Sequence, residues 1–147
     1  MIWFADTSAL VKRYVRESGS EWVRREIRNH KVLIAQITPV EVAAALGKNL
    51  AKGKISEFSF YQARRRFLLH IKQHQYRIVQ LSDRIIGEAM RLTSAHSLRA
   101  YDAVQLATAL IAVGALDRSQ FLFITSDSNL EKASFKEGLP SINPVTR

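Results

Sequence analysis

Four acids stand at the ends of segments that read as strands or at the starts of segments that read as helices: Asp6, Glu41, Asp102 and Asp127. Gathered in one place, carboxylates repel and raise one another's pKa. In a chain of formal net charge +9, such a gathering calls for a cation. Asp and Glu oxygens select the hard ions Mg²⁺ and Mn²⁺. An ion held that way activates water and offsets charge on a phosphodiester, so the chemistry in question is metal-assisted hydrolysis. Each acid also suits a plain helix start. Thr38-Pro39-Val40-Glu41 has the spacing of a capping box, with proline at the first helical position. Asp6 and Asp127 would serve as N-caps, and Asp102 would complement a helix dipole. Joint placement separates the two explanations, and periodicity alone does not establish it.

The elements that must do the placing alternate along the chain. Ile2 to Ala5, Val32 to Ala35, Ile78 to Leu81 and Phe121 to Thr125 read as buried strands, and Ser141 to Asn143 as a last edge strand. Between them lie helical patterns: a short one through Val11, Tyr14 and Val15, then Glu21 to Arg28. Thr38 to Leu50 follows, then Ser56 to Gln73 with Phe60, Phe67, Leu68 and Ile71 on one face. Ser82 caps a helix through Ile85, Ile86, Ala89, Met90 and Leu92. Tyr101 to Val113 is apolar nearly all round and should be buried. A short helix follows Asp127. Strands alternating with helices imply right-handed crossovers and an α/β fold, a central parallel sheet with helices on both faces. Ligands of such sheets sit at the carboxyl ends of the strands, where Asp6 and Asp127 fall and where the helices of Glu41 and Asp102 begin.

Composition narrows the classes. With 147 residues the chain reads as a single domain, 1–147, and 47% hydrophobic residues support a real core. No cysteine is present, which excludes a disulfide scaffold, thiolate zinc, iron–sulfur clusters and a cysteine nucleophile. The longest uncharged apolar stretch, Ala103 to Leu116, is shorter than the ~20 residues a spanning helix needs. Asp6 interrupts any signal-peptide core, so a soluble, cytoplasmic protein is expected, with no membrane association. The positive charge leans toward RNA or DNA.

Four segments then become recognisable. Asp6-Thr7-Ser8-Ala9-Leu10-Val11-Lys12-Arg13-Tyr14, the helix with Glu41, Leu98-Arg99-Ala100-Tyr101-Asp102-Ala103-Val104-Gln105-Leu106-Ala107 and Thr125-Ser126-Asp127 resemble the PIN-domain family. Within it they look most like the VapC-type toxins of toxin–antitoxin systems, in order and spacing over essentially the whole chain. The resemblance implies a Rossmann-like PIN fold and a Mg²⁺- or Mn²⁺-dependent endoribonuclease. It implies Asp6, Glu41, Asp102 and Asp127 as the catalytic acids, with Asp6, Asp102 and Asp127 holding metal and Glu41 orienting or deprotonating a water. The products would be a 5′-phosphate and a 3′-hydroxyl. Thr125 and Ser8 match polar residues that support the acids by hydrogen bonds. Lys12, Arg13 and Arg99, close in sequence to the acids, are candidates for substrate phosphates. The implied partners are RNA, a cognate antitoxin that blocks the cleft, and a second copy in a homodimer.

Two other functions fit the same residues: a PIN-type RNA-processing nuclease outside toxin–antitoxin systems, and a module that binds RNA without cutting it. The retained acids argue against the second, since without a cation they repel phosphate. His70 and His74 have zinc-pair spacing, but neither the Glu of a metalloprotease motif nor a cysteine accompanies them. The Arg64-Arg65-Arg66 run fits the wet face of its helix. Trp3, Phe4 and Trp22 fit core packing better than base stacking.

Overall fold

Burial along the first strand sets the sheet. In the computed structural model, which describes residues 1–114 and 116–147, β1 (Ile2–Ala5) sends Trp3 and Ala5 into one core and Phe4 into another. A strand buried on both faces belongs in the middle of a parallel sheet. β1 pairs in parallel with β2 (Lys31–Ala35) on one side, Trp3 opposite Val32. On the other it pairs with β4 (Phe121–Ile124), Phe4 opposite Phe123. β3 (Tyr76–Val79) lies outside β2, and the short β5 (Ser141–Ile142) outside β4. The order is β3-β2-β1-β4-β5, with every pairing parallel. The chain builds outward from β1 through β3, then crosses back to the far side of β1. The switch in direction falls between β1 and β4, and a ligand crevice opens at the carboxyl ends there.

Helices cover both faces, as the alternating pattern requires. On one face, α1 (Thr7–Leu10), α2 (Ser20–Glu26), α3 (Thr38–Ala51) and α4 (Glu57–Lys72) bury Leu10, Val23, Leu46 and Phe67 around Trp3. On the other, α5 (Asp83–His96), α6 (Ala100–Val113) and α7 (Ser128–Lys136) bury Leu92, Leu106 and Leu130 around Phe4. Each such side chain contributes ~1.5–3 kcal/mol relative to exposure. α6 is the most enclosed of these helices, with seven buried residues that include Gln105 and Thr108. No helix among the described residues is long and apolar enough to cross a membrane.

Three elements differ from their sequence patterns. β3 begins two residues before Ile78 and ends before Leu81. Tyr76 is the buried residue, opposite Val32, while Leu81 is exposed and its N–H donates to Gln36 Oε1 at 2.7 Å. The first helix begins at Thr7 rather than Val11, because Asp6 caps it directly. Leu68 of α4 is 52% exposed, so only part of the expected apolar face packs.

Candidate active site

The end of β1 delivers Asp6. Its N–H donates to Ile124 O at 2.9 Å, one step beyond the strand, and its backbone then turns into α1. The side chain is buried beneath that turn. Oδ2 accepts from Ser8 Oγ at 2.6 Å, Thr125 Oγ1 at 3.0 Å and Ser8 N–H at 3.3 Å. No hydrogen bond among the described residues reaches Oδ1. Burial pushes the Asp6 carboxyl up to about 6, the Ser8 and Thr125 hydroxyls oppose this, and the charges of Glu41 and Asp102 add to it.

Ser8 and Thr125 both donate their hydroxyls to Asp6. Thr125 Oγ1 also accepts from Asp127 N–H at 3.1 Å, and Ser8 Oγ from Ser126 N–H at 2.9 Å. The β4–α7 turn is thereby tied to the β1–α1 turn. Asp127 is the N-cap of α7, with Oδ1 accepting from Asn129 N–H at 2.8 Å and Leu130 N–H at 3.0 Å. Its Oδ2 takes no protein donor among the described residues. Asp6 and Asp127 are thus both N-caps, and in each a single oxygen makes the cap bonds while the other has no protein donor among the described residues.

Glu41 is not a capping-box residue. α3 has Ile37 at its N-cap with no side-chain cap bond, and Thr38 is already helical. Glu41 Oε1 instead accepts from Gln105 Nε2 at 2.6 Å and Thr7 Oγ1 at 3.1 Å. Burial raises the Glu41 carboxyl, Gln105 and Thr7 pull it down, and the Asp102 charge pushes it up. Asp102, in the first turn of α6, is half-buried and raised by burial and by the Asp127 charge, with Arg99 opposing.

All four acids line one cleft of about 610 Å³ at the carboxyl edge of the sheet. Thr7, Ser8, Val40, Lys48 and Tyr101 share its wall. The acids flank the cleft rather than closing on a point. Among the described residues no three Asp, Glu or His side chains stand close enough to form a ready coordination shell. The donor set still suits a hard divalent cation. It is all oxygen, Asp6, Glu41 and Asp127 each hold one oxygen fixed and leave the other untaken, and burial, with a smaller push from neighbouring carboxylates, raises three of the four carboxyls.

The cations divide differently from the sequence expectation. Arg99 does not line the cleft but stands beside one of its acids, its side chain 90% exposed and Nε 3.8 Å from Asp102 Oδ2. Lys12 is buried, with Nζ on Glu17 Oε1 at 2.9 Å. Arg13 donates to Tyr76 OH and Gln75 Oε1, at the start of the outer strand β3. Neither Lys12 nor Arg13 lines the cleft. Gln105, Thr7, Lys48 and Tyr101 were not singled out from sequence. Of these, Gln105 left a signal: an amide within a helix otherwise apolar all round.

The family model for the PIN domain matches residues 3–136. No curated protein sequence matches the chain. Solved structures with similar folds include a chain of a toxin–antitoxin complex from Klebsiella pneumoniae, 19% identical, TM-score 0.63, with 96% of each chain covered. VapBC-1 from nontypeable Haemophilus influenzae is 15% identical over 100% of both chains, TM-score 0.62. VapBC2 from Rickettsia felis, bound to a DNA fragment from its promoter, is 14% identical with TM-score 0.62, over 97% of this chain and 98% of that one.

Proposed function

The chain belongs to the PIN domain family, and we propose that it is the toxin of a toxin–antitoxin pair, an endoribonuclease dependent on Mg²⁺ or Mn²⁺. The observation that carries this reading is the convergence of Asp6, Glu41, Asp102 and Asp127, from four separate elements, on one cleft. Holding four carboxylates there costs stability, which a structural cap does not require. The folds shared with chains of toxin–antitoxin complexes support the biological setting.

Asp6, Asp102 and Asp127 would hold the ion through the oxygens that no protein donor takes. A divalent ion so bound supplies Lewis acidity toward water and phosphate oxygen. Glu41 has Oε1 tied to Gln105 and Thr7 and keeps Oε2 to orient a water or accept its proton. Arg99 and Lys48 meet substrate phosphates at the rim. Lys12 and Arg13, held away from the cleft, act on RNA through the positive field of the whole chain. The further partners are an antitoxin that covers the cleft and a second copy of the chain. Sedimentation that finds only monomer at micromolar concentration removes the dimer.

The test compares RNA cleavage by wild type, Asp6→Asn and Asp102→Asn in Mg²⁺ and in Mn²⁺. Lost cleavage with an intact fold is expected, because Asn caps a helix about as well as Asp. Variants that cut like wild type, or a wild type that cuts no RNA with either ion, defeat the nuclease reading. Growth arrest on expression, relieved by the adjacent open reading frame, tests the toxin assignment separately.

A further inference from the structure

We propose that Gln105 is the positioning residue for Glu41, fixing one carboxylate oxygen so that the other is presented to the cleft. Its consequence for catalysis rests on the nuclease reading above; the clamp itself does not.

Gln105 is fully buried in α6, where its buried neighbours are mostly Ala, Leu and Val. A buried amide is costly unless its groups are bonded. Nε2 lies 2.6 Å from Glu41 Oε1, and 3.1 Å from both Thr7 Oγ1 and Thr38 Oγ1. The shortest of the three goes to the one acceptor that carries charge. At the other end of the amide, Oε1 is buried with no partner among the described residues.

That orphaned oxygen is the informative feature. Turning the amide over would set a carbonyl oxygen against Glu41 Oε1, so the carboxylate dictates which end faces it. If Gln105 served only to join α1, α3 and α6, an apolar side chain of similar volume would do so and leave no orphan. The amide is explained by the donor that Glu41 needs. Thr7 completes the clamp by donating to the same Oε1 at 3.1 Å. Thr38, by contrast, touches Gln105 without touching Glu41.

The experiment is a double-mutant cycle on the full chain, with thermal midpoint and RNA cleavage as readouts. Gln105→Met keeps length and volume and removes the donor. Its thermal midpoint is expected to fall in the wild-type background and to stay level or rise when Glu41→Ala has removed the carboxylate. With RNA, Gln105→Met is expected to lower kcat ~10–100-fold at unchanged KM. Thr38→Val, which spares the clamp, keeps the wild-type kcat. Equal falls in midpoint in both backgrounds overturn the proposal, because they describe an amide that acts without Glu41. A Gln105→Met protein that cleaves like wild type overturns it as well, and so does Thr38→Val matching Gln105→Met in kcat. If wild type cuts no RNA, the nuclease reading falls, and the cycle in thermal midpoint alone decides whether Gln105 holds Glu41.

Discussion

Thr125 Oγ1 donates to Asp6 Oδ2 at 3.0 Å, joining residues 119 positions apart in the chain. The same oxygen accepts from Asp127 N–H at 3.1 Å. One hydroxyl thus fixes the side chain of one acid and the backbone of another. Because β1 and β4 are neighbours in register, Ala5 opposite Ile124, both turns begin at the same height and a single threonine spans them.

Thr125→Val keeps the shape and removes both bonds. Asp6 loses a donor that lowers its pKa, so its carboxyl rises further, and Asp127 N–H loses its acceptor. The expected destabilisation is ~1–3 kcal/mol, the cost of unsatisfied buried groups. Cleavage falls with it, while Thr125→Ser restores both. Chemical denaturation beside an RNA cleavage assay checks the pair; a Val variant equal to wild type in both would show that the hydroxyl is dispensable.

Asp6 makes stability depend on pH in the metal-free protein. Its folded pKa is raised to about 6 by burial, against 3.8 for the ordinary carboxyl. The folded state therefore binds the proton more tightly, and the stabilising term is complete below pH 3.8 and lost as pH rises through about 6. The loss is on the order of 3 kcal/mol. His70 works the other way: burial lowers it to about 4, so its contribution is present above 6.5 and lost as pH falls toward 4. In wild type the two act in opposite directions over this range. Asp6→Asn removes one of them, so the stability of this variant relative to wild type should rise as pH goes from 4 to 7. A pH-independent difference in urea midpoints would contradict the burial argument.

Asp127 separates cap from charge. Asp127→Asn keeps the α7 cap and removes the carboxylate; Asp127→Ala removes both. Stability should be near wild type in Asn and lower by ~1 kcal/mol in Ala. Cleavage should be lost equally in both. Activity that follows stability instead, retained in Asn and reduced in Ala, would make Asp127 only a cap.

How far the sequence carried is visible in these residues. Asp6 and Asp127 were legible because a cap at the end of a parallel strand stands at the ligand edge whatever the fold's details. The continuous apolar run of Ile2, Trp3, Phe4 and Ala5 likewise announced a buried strand. Glu41 was placed correctly and given the wrong local partner: capping-box spacing concerns bonds within one helix, whereas Gln105 and Thr7 reach Glu41 from elements 64 and 34 residues away. β3 was misplaced by two residues because apolar content favoured Leu81, while parallel pairing and the aromatic cluster of Tyr76, Tyr14 and Phe67 claimed Tyr76. Lys12 and Arg13 sit near Asp6 in sequence. However, α1 ends after one turn, and the following residues turn both side chains toward Glu17 and Tyr76.

That difference among the cations yields the last test. Arg13 lies over the Tyr76 ring at 5.5 Å and donates to its hydroxyl and to Gln75. Arg13→Gln should cost ~1–2 kcal/mol of stability through the lost hydrogen bonds and cation–π contact, with KM for RNA little changed. Arg99 is exposed beside Asp102, and its 3.8 Å approach to that carboxylate adds almost nothing to folding. Arg99→Gln should leave the melt unchanged, raise KM, and reduce the salt slope of RNA binding by ~0.7, the share of one phosphate on a single strand. The two outcomes must not be interchangeable. If Arg13→Gln moves KM and the salt slope while Arg99→Gln moves neither, RNA enters along α1 and β3 instead of across the start of α6. The mouth of the cleft would then have to be redrawn around Tyr76.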